Sequence, residues 1–252
     1  MNIKGYHLGS GEPVICVAVT ETSTDAIIEK IKFLTEFGAQ AIEWRVDYFD
    51  GQQEVAAVCE ILEAVSTYVK QTIFLTTYRT RAEGGQGDLD TEAYEALIVA
   101  MAENGVADFV DVELDSSADA QALFARVHEA GGKVIASHHD FEKTPATVDM
   151  ISMMSDMYEL GADVAKLAVM PQSFSDVVAV LDATVVVHQS YPNQPKITIS
   201  MGKLGAITRL LGESVGSCLT FGTVGRASAP GQMEYKNVAR ALDSIHVCLS
   251  EE

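Results

Sequence analysis

The chain has 252 residues, of which 48% are hydrophobic and 21% charged, with 19 Gly and 6 Pro. That composition excludes a disordered chain, and the glycines follow no period of three, which excludes a collagen-like repeat. With 17 Lys+Arg against 36 Asp+Glu the formal net charge is −19, a field that repels a phosphate backbone or an anionic bilayer, so neither nucleic acid nor membrane is expected as a partner.

No apolar run reaches the length of about 18 residues that spans a bilayer, and the N-terminus MNIKGYHLGSGEP lacks a leader pattern. A soluble, unexported, cytoplasmic protein is expected. Cys16, Cys59, Cys218 and Cys248 are far apart with no C-x-x-C; they read as reduced core residues rather than zinc ligands or disulfide partners, and no metal is expected.

Residues 1–12, with Gly9-Ser10-Gly11, are expected to form a small hairpin. Eight short apolar runs rich in β-branched residues follow, at 13–19, 41–46, 72–78, 109–114, 133–139, 164–169, 196–201 and 217–224. Their starts are spaced for a strand, a helix and two loops, not for the ~8–12-residue repeat of all-β domains. Amphipathic stretches fill the gaps, from Asp25 onward and at 54–69, 92–102, 118–127, 144–160, 173–187 and 230–245, with a shorter one at 206–211. Thr24 or Asp25, Asp90 or Thr91, and Ser116 are candidate caps; Gly38 and Gly131 fall where helices should stop.

Eight βα units in this length predict a single-domain (β/α)8 TIM barrel covering residues 1–252, with the hairpin closing the barrel bottom. A doubly wound open sheet is the main rival, but G-x-G-x-x-G is missing after the first strand, where Val19-Thr-Glu-Thr-Ser-Thr stands.

Strand periodicity then exposes the chemistry. In Ala41-Ile-Glu-Trp-Arg-Val, alternation sends Ile42, Trp44 and Val46 to one face and Glu43 and Arg45 to the other. The fourth strand repeats this, with Asp111 and Glu113 opposite Val110, Val112 and Leu114. Charges inside a sheet core cost several kcal/mol unless paired, so two such strands point to a polar site. Structural pairing of Glu43 with Arg45 is the plainer alternative. Arg79 and Glu83 close the third strand before Gly84-Gly85, and His139 closes the fifth as a candidate acid/base if it shares the inward face with Ser137. Lys166 lies mid-strand among apolar residues, a setting suited to Schiff-base formation with a carbonyl substrate; snorkelling, or pairing with Glu113 or Asp111, is the alternative. Arg209, one helical turn past Gly205, fits a carboxylate clamp. Ser228 and Gln232 sit in a Gly/Pro-bounded loop able to close as a lid.

Taken together these residues resemble the type I 3-dehydroquinate dehydratase (3-dehydroquinase) family over nearly the whole chain. The most specific piece is Asp111-Val-Glu-Leu followed, after residues 115–133, by Val134-Ile-Ala-Ser-His-His-Asp; beside it stand Glu43-Trp-Arg-Val-Asp, Arg79 with Glu83-Gly-Gly, Lys166, Met201-Gly with Arg209, and Ser228-Ala-Pro-Gly-Gln232. Thr208 stands where the family often has serine.

The resemblance implies a cofactor-free lyase of the shikimate pathway, turning 3-dehydroquinate into 3-dehydroshikimate. Lys166 would form the imine and His139 would serve as base and then acid. Glu83 and Asp111 would orient or tune His139. Arg209, Ser228 and Gln232 would hold the substrate carboxylate, and Glu43, Arg45 and Arg79 would line its hydroxyl side. The resemblance also implies a homodimer. Two other readings are a class I Schiff-base aldolase, which would need a phosphate site, and a non-catalytic quinate-binding barrel, which loss of Lys166 or His139 would have signalled.

Overall fold

Strand and helix alternate along the chain as the spacing of apolar runs requires. In the computed structural model, which describes residues 1–225, 229 and 231–250, the order is β1 (Asn2–Ile3), β2 (Tyr6–His7), β3 (Val14–Val19), α1 (Thr24–Phe37), β4 (Ala41–Arg45), α2 (Val55–Val65), β5 (Ile73–Thr77), α3 (Thr91–Asn104), β6 (Phe109–Glu113) and α4 (Ala120–Glu129). There follow β7 (Val134–Asp140), α5 (Thr147–Glu159), β8 (Val164–Val169), α6 (Phe174–Ser190), β9 (Lys196–Ser200), α7 (Gly212–Val215), β10 (Leu219–Thr223), β11 (Met233–Glu234) and α8 (Tyr235–Ser250). Short 3-10 turns occupy Val46–Tyr48, Val69–Gln71, Arg81–Glu83 and Leu204–Arg209.

The chain divides into two units. One comprises Ala18–His138 and Glu159–Asp163. Its strands β4, β5, β6 and β7 pair in parallel, with Thr77 opposite Asp111 and Glu113 opposite Ser137. Every residue of β5 and β6 is buried, which is why these strands read as near-continuous apolar runs. Trp44 is fully buried, its ring 6.3 Å from that of Phe49, so its face of β4 is the packed one.

The other unit comprises Met1–Val17, His139–Tyr158 and Val164–Glu252. Here β8 pairs in parallel with β9, β10 with the start of β3, and β10 with β11. Strands β9 and β10 meet through a parallel bridge between Lys196 and Ser217, where Cys218 N donates to Lys196 O at 2.8 Å. Strands β1 and β2 form an antiparallel ladder, Asn2 opposite His7. Its turn is at Lys4-Gly5, where both residues have positive φ, rather than at Gly9-Ser10-Gly11.

Capping chemistry sets the helix ends. Gly38, at φ 86°, closes α1 by donating to the Leu34 and Thr35 carbonyls. Asp90 caps α3 by accepting from Ala93 N, and Ser173 with Asp176 forms a capping box on α6. The expected cap Ser116 is displaced: its hydroxyl donates to the Glu113 carboxylate, and Asp119 caps α4 instead, accepting from Ala122 N at 3.0 Å. The last helix begins at Tyr235 rather than near residue 230 because Met233 and Glu234 first pair with β10. Among the cysteines only Cys16 and Cys218 are core residues; Cys59 is half-buried and Cys248 exposed, all four as free thiols. No helix of the described residues is long and apolar enough to cross a membrane.

Candidate active site

The candidate residues fall in both units. In the first unit Arg79, just past the end of β5, is the centre. Its Nη2 donates to Asp111 Oδ1 at 2.7 Å, and its Nη1 donates to Glu113 Oε1 at 2.9 Å, Ser137 Oγ at 3.0 Å and Glu83 Oε2 at 3.1 Å. Desolvation opposes its charge, but Asp111, Glu113 and Glu83 outweigh that and hold the guanidinium well above its ordinary pKa. Two glycines make the geometry possible. A Cβ on Gly85 would lie 2.1 Å from the Arg79 carbonyl oxygen, and one on Gly87 would lie 2.4 Å from the Tyr78 ring. Only without those atoms does the loop fold back so that Gly87 N donates to Arg79 O at 3.0 Å.

Glu83 ends the 3-10 turn of this loop and is 6% exposed. Burial pushes its carboxyl up to about 8; Arg79 pulls the other way, and Glu113, Asp111 and Asp115 add to the rise. Glu43 accepts from Thr77 Oγ1 at 2.9 Å on the neighbouring strand. Arg45 turns to Asp47, its Nε and Nη2 donating to the two carboxylate oxygens at 2.7 and 2.8 Å, with its guanidinium 5.0 Å from the centre of the Tyr48 ring. Burial works against this cation, but the hydrogen bonds and charge of Asp47 carry its pKa upward.

Period-two reading of the strands brought Glu43 and Asp111 forward, and the end of the third strand brought Arg79 and Glu83; their unit holds Arg79, Glu83 and Asp111 in one hydrogen-bonded group. The same reading placed Glu113 beside Asp111 without giving it a role in the site, and it passed over Asp47. Glu113, fully buried, also accepts from Thr80 N at 2.8 Å and Thr80 Oγ1 at 2.7 Å. Asp47, also fully buried, accepts from Arg79 N at 3.3 Å and Gln86 N at 3.0 Å besides holding Arg45. Glu113 shares the face of Asp111, a signal already in the sequence. Asp47 lies in a 3-10 turn, where alternation no longer applies.

In the second unit Lys166 is 3% exposed at the middle of β8, its Nζ 5.3 Å from the centre of the Phe221 ring on β10. His139 is half-buried near the end of β7. The strand ends there because Asp140 Oδ1 accepts from Glu142 N and Lys143 N at 2.8 and 2.9 Å, forming a tight turn. Arg209 closes the 3-10 turn after β9 at 2% exposure, and burial pushes its guanidinium down to about 10, still charged at neutral pH. Thr208 buttresses that turn, its hydroxyl donating to Gly205 O at 2.8 Å and accepting from Ser200 N at 3.1 Å. Half-buried Gln232 follows Gly231, whose φ is +76° and where a Cβ would stand 2.1 Å from Gly202 O. Gly231 therefore rests against the turn leading to Arg209. Ser228 lies outside the described residues.

A second buried lysine stands apart from these residues. Lys196, 1% exposed at the start of β9, donates to Tyr191 O at 3.1 Å and faces His188 Nδ1 at 3.4 Å. Burial pushes its amine down to about 8.

Comparison with known proteins gives a consistent result. The family model for type I 3-dehydroquinase matches residues 15–248. A 3-dehydroquinate dehydratase of Klebsiella pneumoniae is 42% identical over 97% of this chain and 98% of its own, and one of Listeria monocytogenes is 40% identical over 97% of each. Among solved structures, the type I 3-dehydroquinate dehydratase of Clostridium difficile with covalently modified comenic acid superposes with a TM-score of 0.94 at 36% identity, covering 98% of both chains. The 3-dehydroquinate dehydratase of Geobacillus kaustophilus gives 0.94 at 31% identity, covering 100% of this chain and 97% of its own.

Proposed function

The chain belongs to the type I 3-dehydroquinase family, hydro-lyases that dehydrate 3-dehydroquinate, and from that premise we propose that it works through an imine on Lys166 with His139 as the proton carrier. The buried position of Lys166 on β8 is the observation that carries this reading. A lysine is placed there at a cost, and a carbonyl carbon is the electrophile that makes use of it. The Clostridium structure with covalently modified comenic acid is in keeping with covalent chemistry in that relative.

Lys166 Nζ adds to the C3 ketone, and loss of the carbonyl oxygen as water gives the imine. The C=N bond draws electron density from C2, so His139 removes a C2 proton and leaves an enamine. Collapse of the enamine expels the C1 hydroxyl, which takes the proton from His139 and departs as water. Hydrolysis of the imine returns the lysine and releases 3-dehydroshikimate, with one water lost overall.

Arg209, with Gln232 and Ser228 of the loop beyond β10, takes the substrate carboxylate. Glu83 and Asp111 orient His139, and Glu43 with Arg45 meets the hydroxyls. Arg79, its guanidinium committed to three carboxylates and Ser137, holds Glu83 and Asp111 in place. The same reading takes residues 1–252 as one cytoplasmic (β/α)8 barrel domain, closed below by the β1–β2 hairpin and acting as a homodimer without a cofactor. The superposition with the Clostridium and Geobacillus structures over nearly the whole chain supports the barrel.

The test is intact mass after mixing the protein with 3-dehydroquinate and borohydride, followed by peptide mapping. A reduced adduct on the peptide carrying Lys166, absent from Lys166→Ala, is expected. An adduct on Lys196 instead, or none while dehydration proceeds, would overturn the mechanism.

A further inference from the structure

Strand β7 carries two adjacent histidines, and the mechanism uses only the second. The first, His138, points its Nδ1 to 3.1 Å from Asp115 Oδ2 and 3.8 Å from Glu83 Oε1. A carboxylate oxygen only accepts, so the Nδ1 that faces Asp115 carries the hydrogen, and Glu83 Oε1 stands beyond hydrogen-bond reach as a close electrostatic neighbour. Side-chain exposure falls along this line from 72% at Asp115 through 19% at His138 to 7% at Glu83.

The two oxygens of Glu83 therefore meet different partners. Oε2 takes Arg79 Nη1 at 3.1 Å, and Oε1 faces His138. Within this unit the charged and titratable groups around Glu83 are Arg79 from beyond β5, Asp111 and Glu113 from β6, Asp115 from the segment after β6, and His138 from β7. Arg79 divides its donors among three carboxylates, so it does not by itself offset the negative charge gathered there.

We propose that His138, hydrogen-bonded to Asp115, is a positioning residue for Glu83: its ring, 3.8 Å from Oε1, favours the carboxylate form there through space. The proposal rests on the reading that Glu83 orients His139, because that role asks for an ionised Glu83 in a fixed rotamer.

Two polar, uncharged replacements separate this from a merely structural role. His138→Asn leaves an amide donor close to where Nδ1 stands, whereas His138→Gln carries its donor out toward the position of Nε2. The full-length protein, with glutamate carboxyl carbons labelled with 13C and the Glu83 signal assigned by its loss in Glu83→Gln, is titrated by NMR alongside kcat against pH. In His138→Gln the Glu83 titration and the rising limb of kcat are expected to move up together by about one pH unit, tenfold in proton affinity. His138→Asn is expected to stay close to the parent in both. If Glu83 titrates alike in the parent and in His138→Gln, the proposal fails. If Glu83→Gln keeps full activity, the orienting role of Glu83 fails instead, while the NMR titration still decides whether His138 favours its carboxylate form.

Discussion

Replacing Glu83 by glutamine tests the electrostatics of the Arg79 cluster through folding stability. Burial lifts the Glu83 carboxyl from 4.5 to about 8, so between those values the native state binds a proton that the unfolded chain releases. Stability from this group is fully present below about pH 4.5 and is lost as pH rises through about 8. The difference of about 3.5 pH units, at 1.36 kcal/mol each, sets a ceiling of about 5 kcal/mol. Sharing of charge with Asp111 and Glu113 through Arg79 lowers what is realised, and about 2–4 kcal/mol is expected. Glutamine keeps the shape and an oxygen for Arg79 but does not titrate. Going from about pH 5 to about pH 8.5, which spans most of that difference, Glu83→Gln should therefore gain about 2–4 kcal/mol relative to the parent. Urea unfolding followed by the fluorescence of the single tryptophan, buried Trp44, measures this at each pH. A parent–variant difference constant within about 0.5 kcal/mol across that range would refute the argument.

Arg79→Met should cost about 3–5 kcal/mol at neutral pH, because buried Asp111 and Glu113 lose their cation. The cost should shrink in mild acid as they take up protons, and urea unfolding at both pH values reads it. Arg209→Leu should leave the fold intact and raise KM for 3-dehydroquinate about 10- to 150-fold, the worth of a charge-assisted hydrogen bond of about 1.5–3 kcal/mol; an unchanged KM in steady-state assays would remove Arg209 from the carboxylate site. Asp90→Ala should cost about 0.5–2 kcal/mol through loss of the α3 cap with kcat unchanged, measured by urea unfolding and initial rates. Gly231→Ala forces a Cβ against Gly202 O at positive φ, and displacing Gln232 should raise KM more than it lowers kcat.

The strands were legible because parallel strands covered on both faces leave near-continuous apolar runs, and a charge inside such a run stands out. Lys166, Asp111 and Glu43 were found that way. Helix ends were legible where one residue has one task, as at Asp90 and Gly38. The cap of α4 was not, because Ser116 and Asp119 are both good caps and the choice is made by Glu113, which claims the serine. Alternation likewise lost Asp47, since the chain leaves β4 for a 3-10 turn one residue earlier. The partners of Arg79 are a tertiary fact: nothing local says that a residue after β5 will end on carboxylates of β6 and a hydroxyl of β7.

That convergence bears on how this part of the molecule comes together and comes apart. Arg79 gathers ligands from its own loop, from both carboxylates of β6 and from Ser137 on β7, and Ser137 Oγ in turn donates to Asp111 Oδ1 at 2.6 Å. A slip of β6 by one residue would turn both carboxylates to the opposite face and leave the guanidinium buried without them. The cluster thus acts as a lock on strand register that closes only when three successive βα segments are in place. Amide protons of β5, β6 and β7 should accordingly exchange through one shared opening rather than strand by strand.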